Sequence, residues 1–336
     1  MASSTVRLSI VTSMYRSELV IEEFVQRITK SARKFTDSYE IVLVNDGCPS
    51  KSLQVALSVV ENHPNIKLVD LSRNFGHHAA MMAGLSQASG RYIYLTNVDL
   101  EERPENLEQI WIVFQDFERE NADGKNSVDV VYGRESERKG SFIKRVLGRG
   151  FYYLFNYLSD IHLPRGQIVS RMMTRRYVDA LLQFSERDIF MPALWELAGF
   201  TQMPTPLERE VPTQPTTYSL LRRLDLAVRA LTSFSSKPLL MIFYAGLMIS
   251  AASGVLVSAL VIRRMFGGLL EGWTSVVALI FLMGGLIIFS IGVVGIYLSR
   301  MFLEIKARPV HIIRSIRTSA HDQDSAQFGA GDKVNG

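Results

Sequence analysis

The sequence predicts an α/β protein, a mainly parallel, Rossmann-like sheet covered by helices, followed by a C-terminal two-helix transmembrane hairpin. Three observations carry this reading. Through the first 132 residues, runs rich in Val, Ile, Leu and Tyr alternate with helix-patterned stretches. Polar turns follow four of those runs. Two long apolar runs, 238–262 and 274–299, contain no Asp, Glu, Lys, Arg or His.

The strand-like runs are 6–11, 40–44, 66–71, 91–96 and 128–132, and the helical patterns are 18–34, 50–61, 78–89 and 104–118. This βαβα order builds parallel sheets, in which ligands bind beyond the carboxyl ends of the strands. Polar residues fall at those ends: Tyr15, then Asn45-Asp46-Gly47, then Ser72-Arg73-Asn74, then Asn97-Val98-Asp99. Four polar turns on one edge point to a site rather than to four unrelated loops. Asp46 either meets a base or ribose there, or closes an Asx turn or helix cap before Ser50. His77 and His78 read as exposed or capping, Cys48 as a small filler, and Glu102 and Glu105 as helix-start charges.

The apolar runs hold 25 and 26 residues, against the ~20 needed to cross a bilayer core of ~30 Å. The alternative is two core helices of a soluble protein. Basic residues crowd both outer flanks: Arg222, Arg223, Arg229 and Lys237 before the first run, and Arg300, Lys306, Arg308, Arg314 and Arg317 after the second. The connecting loop has only Arg263 and Arg264, with Glu271. The positive-inside rule then puts both termini and the soluble domain in the cytoplasm. Gly246, Ser250, Gly254 and Ser258 form a small-residue stripe that lets another helix approach, leaving a homo-oligomer open.

The remaining composition sets bounds. A net charge of +4 is too mild to suggest a nucleic-acid partner, and the single cysteine excludes an internal disulfide framework. The start of the chain lacks a signal-peptide pattern. Residues 140–158 are basic and aromatic, which suits a helix lying at the headgroup level or a core helix with snorkelling ends. The expected organisation is a soluble domain over 1–215, an amphipathic interfacial helix over 216–237, a two-span anchor over 238–312 and a disordered tail over 313–336.

Several motifs add a resemblance. Val44-Asn45-Asp46-Gly47, Leu71-Ser72-Arg73-Asn74-Phe75-Gly76 and Asn97-Val98-Asp99-Leu100-Glu101 occur in order, followed by Arg138-Lys139-Gly140, Ser233-Phe234-Ser235 and Gly295-Ile296-Tyr297-Leu298-Ser299-Arg300. Their order and spacing resemble family 2 glycosyltransferases of the GT-A fold, in the membrane-anchored polyprenyl-phosphate branch, over roughly 7–312. The resemblance implies inverting transfer of a sugar from a nucleotide sugar to a polyprenyl phosphate at the cytosolic face of a membrane, the plasma membrane of a bacterium.

It also implies site residues. Tyr15, Asp46, Asn74, Asn97 and Asp99 would meet the nucleotide sugar, and Asn97, Asp99 and Glu101 fall on the family's metal motif for Mg²⁺ or Mn²⁺. Asp99, Glu101 and Arg138 would be catalytic, and Arg134, Arg138, Lys139 and Arg171 would hold the acceptor phosphate. The chain departs from the pattern in several places. After the first strand, Ser13-Met14-Tyr15-Arg16-Ser17-Glu18 keeps only Tyr15 and Glu18 of the family's Pro-x-Tyr-Asn-Glu, and Glu101 stands at the family's Gln position. Asn97 replaces an Asp, Val169 stands where the acceptor-side motif has Asp, and Thr216-Thr217-Tyr218 lacks that element's Lys. A phosphate monoester with a second pKa of ~6 is already largely ionised, so transfer does not depend on the missing base. The alternative is a degenerate relative serving as a nucleotide- or lipid-binding scaffold. No Gly-x-Gly-x-x-Gly follows the first strand, which disfavours a dinucleotide dehydrogenase.

Overall fold

Four strands form where the apolar runs place them: β1 (Leu8–Met14), β2 (Tyr39–Asn45), β3 (Ile66–Leu71) and β4 (Tyr92–Leu95). Of their residues only Lys67 is not buried. Burial on both faces explains why these strands read as continuous apolar runs. They are parallel in the order β4-β1-β2-β3. The chain steps outward from β1 to β3 and then crosses back to β4. The strand order therefore reverses between β1 and β4, and ligands bind at such reversals. The computed structural model describes residues 6–120, 128–135, 153, 155–158, 161–187, 189–207, 210, 237–265 and 273–319.

The fifth expected strand is β5 (Val130–Glu135), and three more extend the sheet: β6 (Gln167–Thr174), β7 (Gln202–Leu207) and β8 (Ile313–Thr318). β6 runs antiparallel to both β4 and β5, β7 parallel to β5, and β8 antiparallel to β3. The full order is β7-β5-β6-β4-β1-β2-β3-β8. β7 carries Pro204 and Pro206 and lies at one edge, the place where a sheet tolerates proline. β8 corrects an expectation, because Ile313–Thr318 falls in the stretch read as a disordered tail. Side-chain composition does not register the unpaired backbone groups of β3, which this strand satisfies.

Helices cover both faces. α1 (Ile21–Ala32), α2 (Ser52–Glu61) and α4 (Asn106–Glu120) share one core, where Phe24, Ala56 and Ile110 join Ile10 and Leu43 of the sheet. α1 buries Ile21, Phe24, Val25 and Ile28, the spacing of one helix face. α3 (His77–Gln87) takes the opposite face. A Cβ on its Gly84 would lie 2.5 Å from Val11 Cγ1 and 2.8 Å from Val44 Cγ2, so only glycine lets α3 pack this closely. That contact fixes the height of His77 above β1 and β2. α5 (Arg175–Leu181) and α6 (Met191–Leu197) follow β6. Thr174 caps α5 by accepting the Tyr177 amide N–H at 3.3 Å.

A buried carboxylate at the foot of the sheet yields a pH test. Glu40 is desolvated, which raises its carboxyl. Together, hydrogen bonds from Ser9 Oγ at 2.6 Å and from the Ser89 amide and hydroxyl, with Lys67 at 3.3 Å, outweigh this and hold it below the ordinary value. A lowered carboxyl contributes stability that is present above its unfolded pKa and lost as pH falls through the folded one. Glu40→Gln is expected to lower the melting temperature at neutral pH and to shrink that gap below the ordinary glutamate range. Melts of both proteins across pH 3–7 measure it.

The chain divides into two compact units. One comprises 1–145, 164–216 and 309–336, the other 146–163 and 217–308. The second holds α7 (Lys237–Met265) and α8 (Trp273–Ile305), of 29 and 33 residues. Among the described residues, Met283–Ile305 of α8 is long and apolar enough to cross a membrane, and none of it is buried. α7 offers a shorter apolar stretch, Leu239–Ile249. One of the two expected spans is thus met by length and composition. Of the two interfacial segments expected from sequence, 140–152 and 216–236 lie outside the described residues.

Candidate active site

The four polar turns converge at the carboxyl ends of β1 to β4, and side chains tie them together. Asp46, at the end of β2, is 3 % exposed. Its Oδ1 accepts the Phe75 amide N–H at 2.7 Å and its Oδ2 the Gly76 amide N–H at 3.0 Å. Burial pushes its carboxyl up, and the two amides only partly offset this. Asp46 therefore staples the β2 turn to the β3 turn, and does not cap the stretch before Ser50. Gly47 adopts φ +54°, and a Cβ there would lie 2.2 Å from the Arg73 carbonyl carbon. Asn74 stands exposed at the same junction. Gly47→Ala is expected to cost about 2 kcal/mol from strain and clash with fixed backbone, read as a lowered urea midpoint.

The β1 turn joins this pair. Tyr15 is 43 % exposed, and the Arg16 guanidinium lies 5.6 Å from its ring centroid. The Arg16 amide N–H donates to Cys48 Sγ at 3.0 Å, so the cysteine is a packing and hydrogen-bonding element of the turn. Glu18 accepts the Ser50 and Ser52 hydroxyls at 2.6 and 2.7 Å, and these bonds hold its carboxyl below the usual range.

After β4 the chain turns through Leu100 at φ +61°. Asp99 is exposed and its Oδ1 accepts the Glu101 amide N–H at 3.1 Å. Asn97 is half-buried, and its Oδ1 is inaccessible and without a hydrogen-bond partner. Among the described residues no three His, Cys, Asp or Glu side chains gather as a metal cluster. One expectation is corrected here. Glu102 is no helix-start charge: 1 % exposed, it accepts the Val169 amide N–H at 3.1 Å, the Ser170 amide N–H at 2.7 Å and the Ser170 hydroxyl at 2.5 Å. His77 is exposed as expected, and its Nδ1 and Ser13 Oγ share a hydrogen bond of 2.8 Å. Burial of that inner side and then His78 hold its imidazole below the usual value, with Asn97 alongside opposing. Water at the open side moderates the shift. His78 Nδ1 is 2.9 Å from the Ile189 carbonyl.

The acceptor-side residues fare differently. Arg171, expected at a phosphate, is fully buried in β6. Its guanidinium carbon lies 3.0 Å from the Trp195 ring centroid, and Nε and Nη2 donate to the Val169 and Ile168 carbonyls at 3.3 Å each. Burial pushes it down to about 10, so it remains a cation at neutral pH. It packs the interior and does not face solvent. Arg134 is exposed on β5 opposite Gln167. Arg138 and Lys139 lie outside the described residues.

The family model for Glycosyl transferase family 2 matches residues 9–182, from β1 through α5. The chain belongs to this family. A Mycobacterium tuberculosis chain grouped by name with glycosyltransferases is 40 % identical, over 92 % of this chain and 88 % of its own. The undecaprenyl-phosphate 4-deoxy-4-formamido-L-arabinose transferase of Proteus mirabilis is 26 % identical over 92 % of this chain and 94 % of its own. The prophage bactoprenol glucosyl transferase homolog of Escherichia coli is 26 % identical over 93 % and 99 %.

As a glycosyltransferase the chain has a rim whose parts divide into scaffold and exposed groups. Asp46, Glu102 and Arg171 hold distant or neighbouring backbone and Ser13 holds His77, whereas Tyr15, Asn74 and Asp99 are exposed. The turn after β4 offers oxygen donors only: the unpartnered Asn97 Oδ1, Asp99 and Glu101. That donor set fits a hard divalent cation, which is commonly held by one or two carboxylates and completes its shell with substrate phosphate oxygens. Sequence reasoning missed Glu102 and His77. In both cases the decisive partner lies 64 or more residues away, and no local pattern marks it.

Proposed function

We propose that this glycosyltransferase moves a sugar from a nucleotide sugar to a polyprenyl phosphate at the cytosolic face of a bacterial plasma membrane, with inversion. The observation that carries the proposal is the overlap with the undecaprenyl-phosphate transferase over 92 % of this chain. An overlap of that extent takes in both the α/β unit and the apolar helices. The exposed Tyr15, Asn74 and Asp99 would meet the donor. Asn97, Asp99 and Glu101 would hold Mg²⁺ or Mn²⁺, which would neutralise charge on the departing diphosphate. Arg134, Arg138 and Lys139 would attract the lipid phosphate.

The two-span reading has support from chain connectivity. The stretches 164–216 and 309–336, on either side of the apolar helices, belong to the same unit. A chain that leaves a soluble unit and returns to it crosses a bilayer an even number of times. If α8 spans, α7 spans too, and both termini stay with the cytosolic unit, in line with the flanking arginines.

The test is transfer of labelled sugar from UDP- and GDP-sugars into undecaprenyl phosphate by the full-length protein in membranes. Product that partitions into organic solvent, requires divalent cation and disappears in Asp99→Asn supports the proposal. Failure of every donor in folded protein would refute it.

A further inference from the structure

Arg314 of β8 reaches the turns of the candidate site from the far end of the sequence. Its Nη2 donates to the Ser72 carbonyl at 2.6 Å, and its Nη1 lies 3.4 Å from Asp70 Oδ2. Asp70, at the end of β3, is 5 % exposed, and its Oδ1 accepts Asn45 Nδ2 at 2.7 Å. Asn45 Oδ1 in turn accepts the Cys48 amide N–H at 3.4 Å, a long contact. The Ser72 amide N–H donates back to the Ile312 carbonyl at 2.9 Å. One guanidinium thus holds the β3 turn directly and the β2 turn through Asp70 and Asn45. Asp46 and Gly47 close the same two turns from the inside.

We propose that Arg314 is a positioning residue for the donor site, setting the separation of the turns that carry Asp46 and Asn74. This assignment rests on the nucleotide-sugar reading above. The chemistry explains the residue type. Asp70 is buried with a neutral amide as its other partner, so removing the cation leaves a carboxylate short of counter-charge. The planar fork of arginine can serve a carboxylate and a carbonyl together, which a lysine ammonium on a single stem does poorly. The Arg314 side chain is 57 % exposed, which keeps the ion pair modest. Its loss therefore loosens turns more than it unfolds the sheet, which the rest of the β3–β8 ladder holds.

Full-length protein is titrated with UDP and with GDP by calorimetry in the presence of Mg²⁺, and donor KM and kcat are measured in the transfer assay. Arg314→Ala is expected to weaken diphosphate binding and raise donor KM about fivefold, with kcat within about twofold. Arg317→Ala, in the same strand, is the control and leaves both unchanged. Arg314→Gln carries the same expectation should the alanine variant not fold. Wild-type affinity in the Arg314 variants would overturn the assignment while leaving the nucleotide reading intact. Equal loss in Arg317→Ala would also overturn it, because strand stability alone would then explain the effect. Failure of the wild type to bind either diphosphate would remove both readings.

Discussion

Glu102→Ala is expected to destabilise the α/β unit by about 3 kcal/mol, the cost of stranding buried donors that its two carboxyl oxygens had satisfied. The donors are the Val169 and Ser170 amides and the Ser170 hydroxyl, on a strand where Ser170 is fully buried. The same carboxylate joins the turn bearing Asn97, Asp99 and Glu101 to β6, so its loss also frees that turn. Transfer is expected to fall at least about tenfold, since small displacements of positioned groups are costly in rate. Urea unfolding followed by tryptophan fluorescence gives the first quantity, and donor saturation kinetics the second. Glu102→Gln, which keeps an acceptor oxygen, is expected to lose less on both counts. Equal stability of wild type and alanine variant would show that the turn is held by other means.

Arg171 separates packing from chemistry. Arg171→Ala is expected to cost about 3 kcal/mol, because it removes a fully buried side chain stacked on Trp195 and leaves a cavity. Arg171→Met, which fills similar volume without a charge to desolvate, is expected to stay within about 1 kcal/mol of wild type. The methionine variant is further expected to retain sugar transfer. A stable Arg171→Met protein with no transfer would instead return Arg171 to the acceptor phosphate, in a state where β6 opens. Unfolding curves and transfer rates on the same preparations decide between these outcomes.

The β1 to β4 core was legible in the sequence because strands buried on both faces must be apolar throughout, and the helices between them carry an apolar face at helical spacing. The turns holding Tyr15, Asp46, Asn74 and Asn97 were legible for the same reason, since the ends of those strands mark where the sheet stops. β6 and β7 were not. β6 mixes Gln, Ser, Arg and Thr with apolar residues, and β7 contains two prolines. Their strand state comes from pairing with β4 and β5, whose edges exist only after the fold has formed.

Within the site the sequence determined which residue types stand at each strand end, and with them the family and the class of chemistry. The tertiary structure decided their duties. Asp46, Asp99 and Glu102 all lie in turns after strands, yet Asp46 and Glu102 have their carboxyl groups on the backbone of a distant segment, while Asp99 is left exposed. The tail residues Ile313–Thr318 became a strand that brings Arg314 to Asp70 across 244 positions of sequence. The physical reason is common to all of these. A charged side chain is read from sequence by its type, but whether it serves solvent, ligand or a backbone amide depends on what long-range pairing brings within about 3 Å of it.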